Sequence, residues 1–237
     1  MKGDRLPVQV LSARVIPNAS PSLCKALALE KHYPSLALLT ADSDDVTYIA
    51  LDHGTKAAAV EVVYGRSLYA GAANASTALA GEVIGILGAE TPDEAESGLA
   101  AALSYIQTLG FRSANDRGNV VYLAHTVART GSYLSKIAKV PQGAPIAYLI
   151  APPIEAMVGL DAALKAAAVE PGVFFLPPTE TNFAGALLTG TESACKAACQ
   201  AFAEAVCNLA SAPLQSVEGI RQTSAFQGNF ERRRPWN

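Results

Sequence analysis

The chain has one acidic cluster, Asp42, Asp44 and Asp45, beside Ser43. Two kinds of chemistry fit it. Carboxylates in the first turn of a helix opened by Ser43 would complement its free amides and its dipole, whereas two carboxylates aimed at a small cavity would attract a cation or an ammonium group. The spacing alone does not choose between them. His32, His53 and His125 lie far apart in the sequence, none of them paired with a second ligand at metal spacing, so they read as packed or surface histidines. Cys195 and Cys199 are spaced i, i+4 on a predicted helix, with Cys207 on a neighbouring part of its surface. They read as small core residues with reduced thiols rather than as ligands. Neither a metal nor a cofactor site is read. The nucleophile elbow, the phosphate loop, the zinc-protease helix and the dinucleotide glycine pattern are all missing. An enzyme built on the aspartates would therefore lack partner groups.

The framework that must position these residues is unusually apolar. Half of the 237 residues are hydrophobic and only 16% are charged, with a mean hydropathy of +0.22, yet no stretch approaches the ~20 apolar residues that span a bilayer. The surplus apolar surface points to contacts between subunits. A net charge of −3 without a basic stripe gives no reason to expect nucleic acid as a partner, and a membrane partner is not expected either. Residues 1–5 are not followed by an apolar signal segment, so the expected location is cytoplasmic.

The chain repeats itself. KAAAVE occurs at Lys56 to Glu61 and again at Lys165 to Glu170, and Leu51-Asp52 recurs as Leu160-Asp161 at the same offset of 109 residues. In that register residues 37–40 face 146–149, and Ser43 aligns with Pro152. Beyond the shared string, the strand ending at Gly88 is matched with the one ending at Gly190, an offset of 102, which makes the first connecting loop seven residues longer. Leu23-Cys24-Lys25 also resembles Leu134-Ser135-Lys136. The expected domains are 1–110 and 111–214, with 215–237 as a tail. Arg232-Arg233-Arg234-Pro235-Trp236 in that tail reads as a disordered end, with a docking peptide as the alternative.

Each copy reads as strand, small turn or helix, strand, amphipathic helix, strand, loop, strand, helix, which is an α/β (α+β) fold with helices packed on small mixed or antiparallel sheets. In the second copy Pro153, Met157, Leu160, Leu164 and Ala167 form an apolar stripe at helical spacing, with Asp161 and Lys165 paired on another face. Thr91-Pro92-Asp93-Glu94 is a capping box opening a helix whose stripe is Leu99, Ala102, Leu103 and Ile106. Its counterpart covers 192–209, with Ala198, Phe202 and Val206 facing inward. Two loops, 64–79 and 177–185, occupy the same place in their repeats. They hold Tyr64, Arg66, Tyr69 and Asn74 in the first, and Pro178 and Glu180 in the second.

Residues 159–170, the following strand and polar loop, 185–190 and the helix from Ala194 resemble the bacterial microcompartment shell domain. The similarity is closest to tandem-domain shell proteins of the ethanolamine-utilisation type. It rests on ADSDDVTYIA (41–50), VEVVYGRSLYAGAA (60–73), RTGSYLS (129–135), APPIEA (151–156) and PPTETNFAGALLTG (177–190). The resemblance implies two circularly permuted shell domains and a homotrimer that mimics a hexagonal tile in a cytoplasmic microcompartment shell, where it meets other shell proteins. It also implies a central opening bordered by the two loops, which open or close it for metabolite or cofactor passage; the first loop, longer and carrying Gly65 and Gly71, is expected to move more than the second, whose entry Pro177-Pro178 stiffens. Each subunit would carry a smaller pore for ethanolamine, with Asp44, Asp45, Glu82, Phe111, Thr181, Asn182 and Phe183 as its contacts. Three carboxylates would neutralise an ammonium, an aromatic face would add a cation–π term of about 0.5–2 kcal/mol, and Thr and Asn would serve a hydroxyl. The relatives show two departures: the segment before Phe111 is one residue shorter here, and Phe183 stands where some have tyrosine. The rival readings are a sensing module of the same fold and a shell protein serving another substrate.

Overall fold

The computed structural model describes the whole chain except residues 30, 68–82, 178, 180, 181 and 215–237. Glu82, Thr181, Tyr69, Asn74, Pro178, Glu180 and the C-terminal tail thus lie outside the described residues.

The first half runs β1 (Val10–Ile16), α1 (Pro21–Ala26), β2 (Ser35–Ala41), α2 (Asp44–Ala57), β3 (Val60–Ser67), β4 (Val83–Ala89) and α3 (Pro92–Ile106). A two-residue strand, β5 (Arg112–Ser113), precedes the second half. There the order recurs as β6 (Val121–Val127), α4 (Ser132–Ala138), β7 (Ile146–Ala151), α5 (Pro153–Ala166), β8 (Val169–Phe175), β9 (Ala184–Gly190) and α6 (Glu192–Ser211). The sheets are ordered β1-β2-β4-β3 and β5-β6-β7-β9-β8, with every neighbouring pair antiparallel. A register irregularity between Val62 and Tyr64 in β3 returns between Pro171 and Val173 in β8. Bulges need one extra unpaired residue, so a bulge kept at matching positions marks duplication more strongly than composition does.

The sheet register corrects two of the alignments. Val60 pairs with Ala89 and Val169 with Gly190, so Ala89, not Gly88, is the equivalent of Gly190 and the offset is 101. Likewise Ala41 pairs with Val83 and Ala151 with Ala184, which places β2 and β7 110 residues apart. Glycine matched to glycine was misleading because a one-residue slip turns every side chain to the opposite face. In the corrected register Leu87 matches Leu188, and both are fully buried. The two sequence loops are also shorter than expected at one end: Tyr64 to Ser67 belong to β3, held to β4 as far as Ser67 opposite Val83, and Ala184 and Gly185 belong to β9.

One face of the first sheet, with Ala37, Leu39 and Leu87, packs under α2 and α3; the other, with Leu36, Val63 and Ile86, packs on Cys24 of α1. In the second sheet Ala147, Leu149 and Leu188 face α5 and α6, while Ile146, Tyr148 and Leu187 join the core of the first half. The halves therefore share a core. Gly3 and Leu6 also donate their amides to the carbonyls of Ser113 and Phe111, at 2.8 Å each, tying the N-terminal segment to β5.

The helix faces follow the expected stripes in α3 and α6 but not in α5. Thr91 accepts from the Glu94 amide at 3.3 Å, as the capping box requires. In α5, however, the buried residues are Ala156, Gly159, Leu160 and Ala163, while Met157 and Leu164 are exposed. The cause is the closeness of α6: a Cβ on Gly159 would lie 2.7 Å from the Phe202 ring. Small residues let the two helices meet, and the larger apolar ones are left on the outer side.

Candidate functional site

The junction between the halves encloses a cavity of about 770 Å³ lined by the first turn of α2, the end of β3, β7, α4 and the β8–β9 segment. Asp44 and Asp45 reach it because Ser43 ends the extended segment after β2 and α2 begins immediately at Asp44. Asp45 Oδ1 accepts from the Tyr148 hydroxyl at 2.8 Å, and Asp44 Oδ2 accepts from the Ser67 hydroxyl at 2.7 Å. The Ser67 and Tyr48 hydroxyls also bond each other at 2.7 Å. Tyr48, Tyr133, Tyr148, Phe174, Phe175 and Phe183 add aromatic wall, and no cationic side chain lines the cavity among the described residues.

Two buried neighbouring carboxylates without a cation are electrostatically strained. Burial pushes the Asp45 carboxyl well above the usual carboxylate range, the Asp44 charge pushes it further, and the Tyr148 hydrogen bond offsets only part. Asp44 is also raised by burial, against the pull of the Ser67 hydroxyl and the Asp45 amide. Tyr148 and Tyr48 are raised chiefly by burial, and the aspartates add to it, which keeps both phenols protonated as donors. Such a site relieves its strain by holding a proton or by admitting a cation.

The capping and cavity readings of the acidic cluster separate by residue. Asp42 is structural: its carboxylate accepts from the Gln9 amide at 2.8 Å and anchors the chain leading into β1. Asp44 accepts from the Asp45 amide in the first helical turn, at 2.8 Å, while also facing the cavity. Ser43 occupies the N-cap position without a side-chain capping bond, and its buried hydroxyl has no hydrogen-bond partner among the described residues. Phe183 lines the cavity, whereas Phe111 packs edge-on behind it, 5.4 Å between centroids, and Asn182 is exposed outside the lining. Thr179 was not foreseen; its hydroxyl donates to the Phe183 carbonyl at 2.6 Å and holds the turn into β9. Tyr48, Ser67 and Tyr148 were missed as well. Tyr48 follows Asp44 by one helical turn, a legible signal, but Tyr148 sits in a wholly apolar strand.

Tyr64 and Arg66 line a second cavity, of about 530 Å³, together with Ser132, Tyr133 and Lys136 across the junction. Beside it, Glu61 accepts from the Tyr33 hydroxyl at 2.7 Å. The histidines distant in sequence are not all distant in space: His53 stacks on Tyr105 at 4.0 Å, and His125 meets the same ring edge-on. Burial lowers His125 to about 4, so it is a neutral packing residue at physiological pH. Cys24, Cys195, Cys199 and Cys207 are free and buried. No group of three histidine, cysteine or acidic side chains that could hold a metal occurs among the described residues, and no described helix is long and apolar enough to cross a membrane.

No protein-family model matches the chain. Whole-chain comparison is decisive. The chain is 62% identical over 215 residues to the bacterial microcompartment shell protein EutL of Clostridium perfringens, covering 90% of this chain and 99% of that protein. It is 50% identical over 213 residues to EutL of Escherichia coli, covering 90% and 97%. The monoclinic crystal structure of the Clostridium perfringens protein superposes with a TM-score of 0.86 over 92% of this chain and 100% of that one. The trimeric microcompartment shell protein PduB shares the fold at 22% identity, with a TM-score of 0.72 over 86% of this chain and 89% of that one. Residue patterns, duplicated fold and these likenesses agree: the chain belongs to the EutL family of bacterial microcompartment shell proteins, which are structural proteins rather than enzymes.

Proposed function

We propose that the chain is a shell tile of the ethanolamine-utilisation type, in which three copies close into a ring with pseudo-sixfold symmetry and the cavity at Asp44 and Asp45 is a small amine-binding pore. Its place is the microcompartment shell, within the bacterial cytoplasm, among other shell proteins. The domain boundary falls between Gly110 and Phe111. The segments joining β3 to β4 and β8 to β9 border the central opening as its gate. Hexagonally packed sheets in electron micrographs of the purified protein are the expected result, and dispersed particles would favour a sensing module of the same fold.

The observation that carries the amine reading is the cavity with two buried carboxylates, six aromatic rings and no cationic lining residue among the described residues. An ammonium headgroup supplies the missing charge and finds cation–π faces in the same place. Glu82 and Thr181 complete the proposed contacts, and ethanolamine matches by offering one cation and one hydroxyl. A cation favours the ionised aspartates, so affinity should weaken, and binding should release protons, as the pH falls through the raised Asp45 pKa. Calorimetry across pH in two buffers of different ionisation heat reads both. An affinity that does not change as the pH falls, with identical heats in the two buffers at every pH, would remove the aspartate pair from the binding event.

A further inference from the structure

The 530 Å³ cavity behind β3 is opposite in charge to the acidic cavity in front of it, and a bulge makes it so. Leu87 and Ile86 pack on opposite faces of the first sheet. Since β3 pairs Val62 with Leu87 and Tyr64 with Ile86, Val63 is the extra residue. Strict alternation would put Tyr64 and Arg66 on the α2 face together with Val62. The extra residue turns both to the face that carries Glu61, where they meet α4 across the junction. Ser67 then returns to the α2 face and bonds Asp44. The second copy keeps the bulge but not this chemistry: Val173, Phe174 and Phe175 stand at the positions of Tyr64, Gly65 and Arg66. The basic lining is therefore not a by-product of the fold.

Cations outnumber carboxylates around this cavity among the described residues. Glu61 accepts from the Tyr33 hydroxyl at 2.7 Å and stands 3.5 Å from the Lys31 ammonium, and the Lys136 charge acts on it from across the junction. Arg66 has neither a hydrogen bond nor an ion pair among the described residues. Gly65, Tyr133 and Ile137 line both cavities, so Tyr133 stands between the two charges. Gly65 is required there for space, because a Cβ on it would fall 2.5 Å from the Tyr133 hydroxyl.

We infer that this cavity binds a small phosphate-bearing anion, with the Arg66 guanidinium and the Lys136 ammonium on its oxygens and the Ser132 and Tyr64 hydroxyls beside them. Its volume is that of a site for a small organic molecule. A guanidinium grips two phosphate oxygens at once, and an ammonium adds a point charge. A dianion with three terminal oxygens uses all of that lining, whereas a carboxylate, with two oxygens and one charge, uses less of it. The inference goes beyond the amine reading and does not depend on it, since the two cavities lie on opposite faces of β3.

Phosphorus NMR of the full chain tests the site, with inorganic phosphate and glycerol phosphate titrated separately as probes. Both signals are expected to broaden saturably. Arg66→Gln weakens the affinity roughly tenfold while keeping the parent's far-ultraviolet circular dichroism. Arg66→Lys keeps the charge but loses the two-pronged grip, and falls between the two. Lys196→Gln removes an exposed cation on α6 and changes nothing. Tighter binding of glycerol phosphate supports an organic phosphomonoester as the occupant, and equal binding supports the inorganic ion. A parent without saturable broadening, an Arg66→Gln chain that binds as the parent does, or an equal loss in Lys196→Gln overturns the site. No amine enters the experiment, so any of these failures leaves the aspartate cavity standing.

Discussion

Asp45→Asn is expected to weaken ethanolamine binding at least tenfold, about 1.4 kcal/mol or more, and at the same time to raise the melting temperature at neutral pH. Asparagine keeps the shape and can still accept the Tyr148 hydroxyl through its carbonyl, while its amide can donate to Asp44. It removes the charge that burial and Asp44 both disfavour. An aspartate with a raised folded-state pKa gives its full stabilising contribution below the unfolded value and loses it as the pH rises through the raised one. The two proteins should consequently melt together near pH 4 and diverge above it, by roughly 2–4 °C for each kcal/mol of repulsion relieved. A gain in stability coupled to a loss of binding is the signature of a site kept under strain for its ligand. Scanning calorimetry across pH, with and without ethanolamine, checks both parts. If the variant is less stable than the parent at pH 7, the carboxylates are not strained.

The duplicated fold was legible because identical strings fix a register that no single propensity can. Lys56 to Glu61 and Lys165 to Glu170 placed α2 on α5 and β3 on β8 correctly, and the errors arose outside those strings: one residue in β2 against β7, and one where the match relied on Gly88 and Gly190, which have no side chain to show a face. The stripe of α5 failed for a related reason. Its helix is apolar on two sides, and periodicity cannot tell a side that meets α6 from one left open. The cavity was legible in its charges and not in its walls. Asp44 and Asp45 stood out as a cluster, but Ser67 and Tyr148 come from strands remote in sequence and meet the aspartates only after the halves pack. Phe111 shows the converse: the resemblance brought it to the right region, and the fold sets it one ring behind the lining.

Asp52→Ala should be among the most destabilising single changes in the molecule. Asp52 is fully buried on α2, its two carboxylate oxygens accept from the amides of Leu134 and Gly131, and Lys56 stands 3.4 Å away. Alanine strands two buried amide donors and leaves Lys56 with the Arg129 carbonyl but no carboxylate, and breaking a buried charged network from one side costs about 3–5 kcal/mol. For a chain of this length that corresponds to a fall of roughly 6–20 °C in melting temperature. Asp161→Ala makes the same chemical change at the duplicated position, where the carboxylate is 65% exposed and, among the described residues, paired only with Lys165 of its own helix. Within a single chain it should be close to neutral, since exposed i, i+4 pairs contribute little. The difference between the two variants therefore isolates what the junction adds to one sequence element used twice. Urea denaturation of both variants measures it. Equal losses at the two positions would mean that Asp52 acts through its own helix and not through the amides of Gly131 and Leu134.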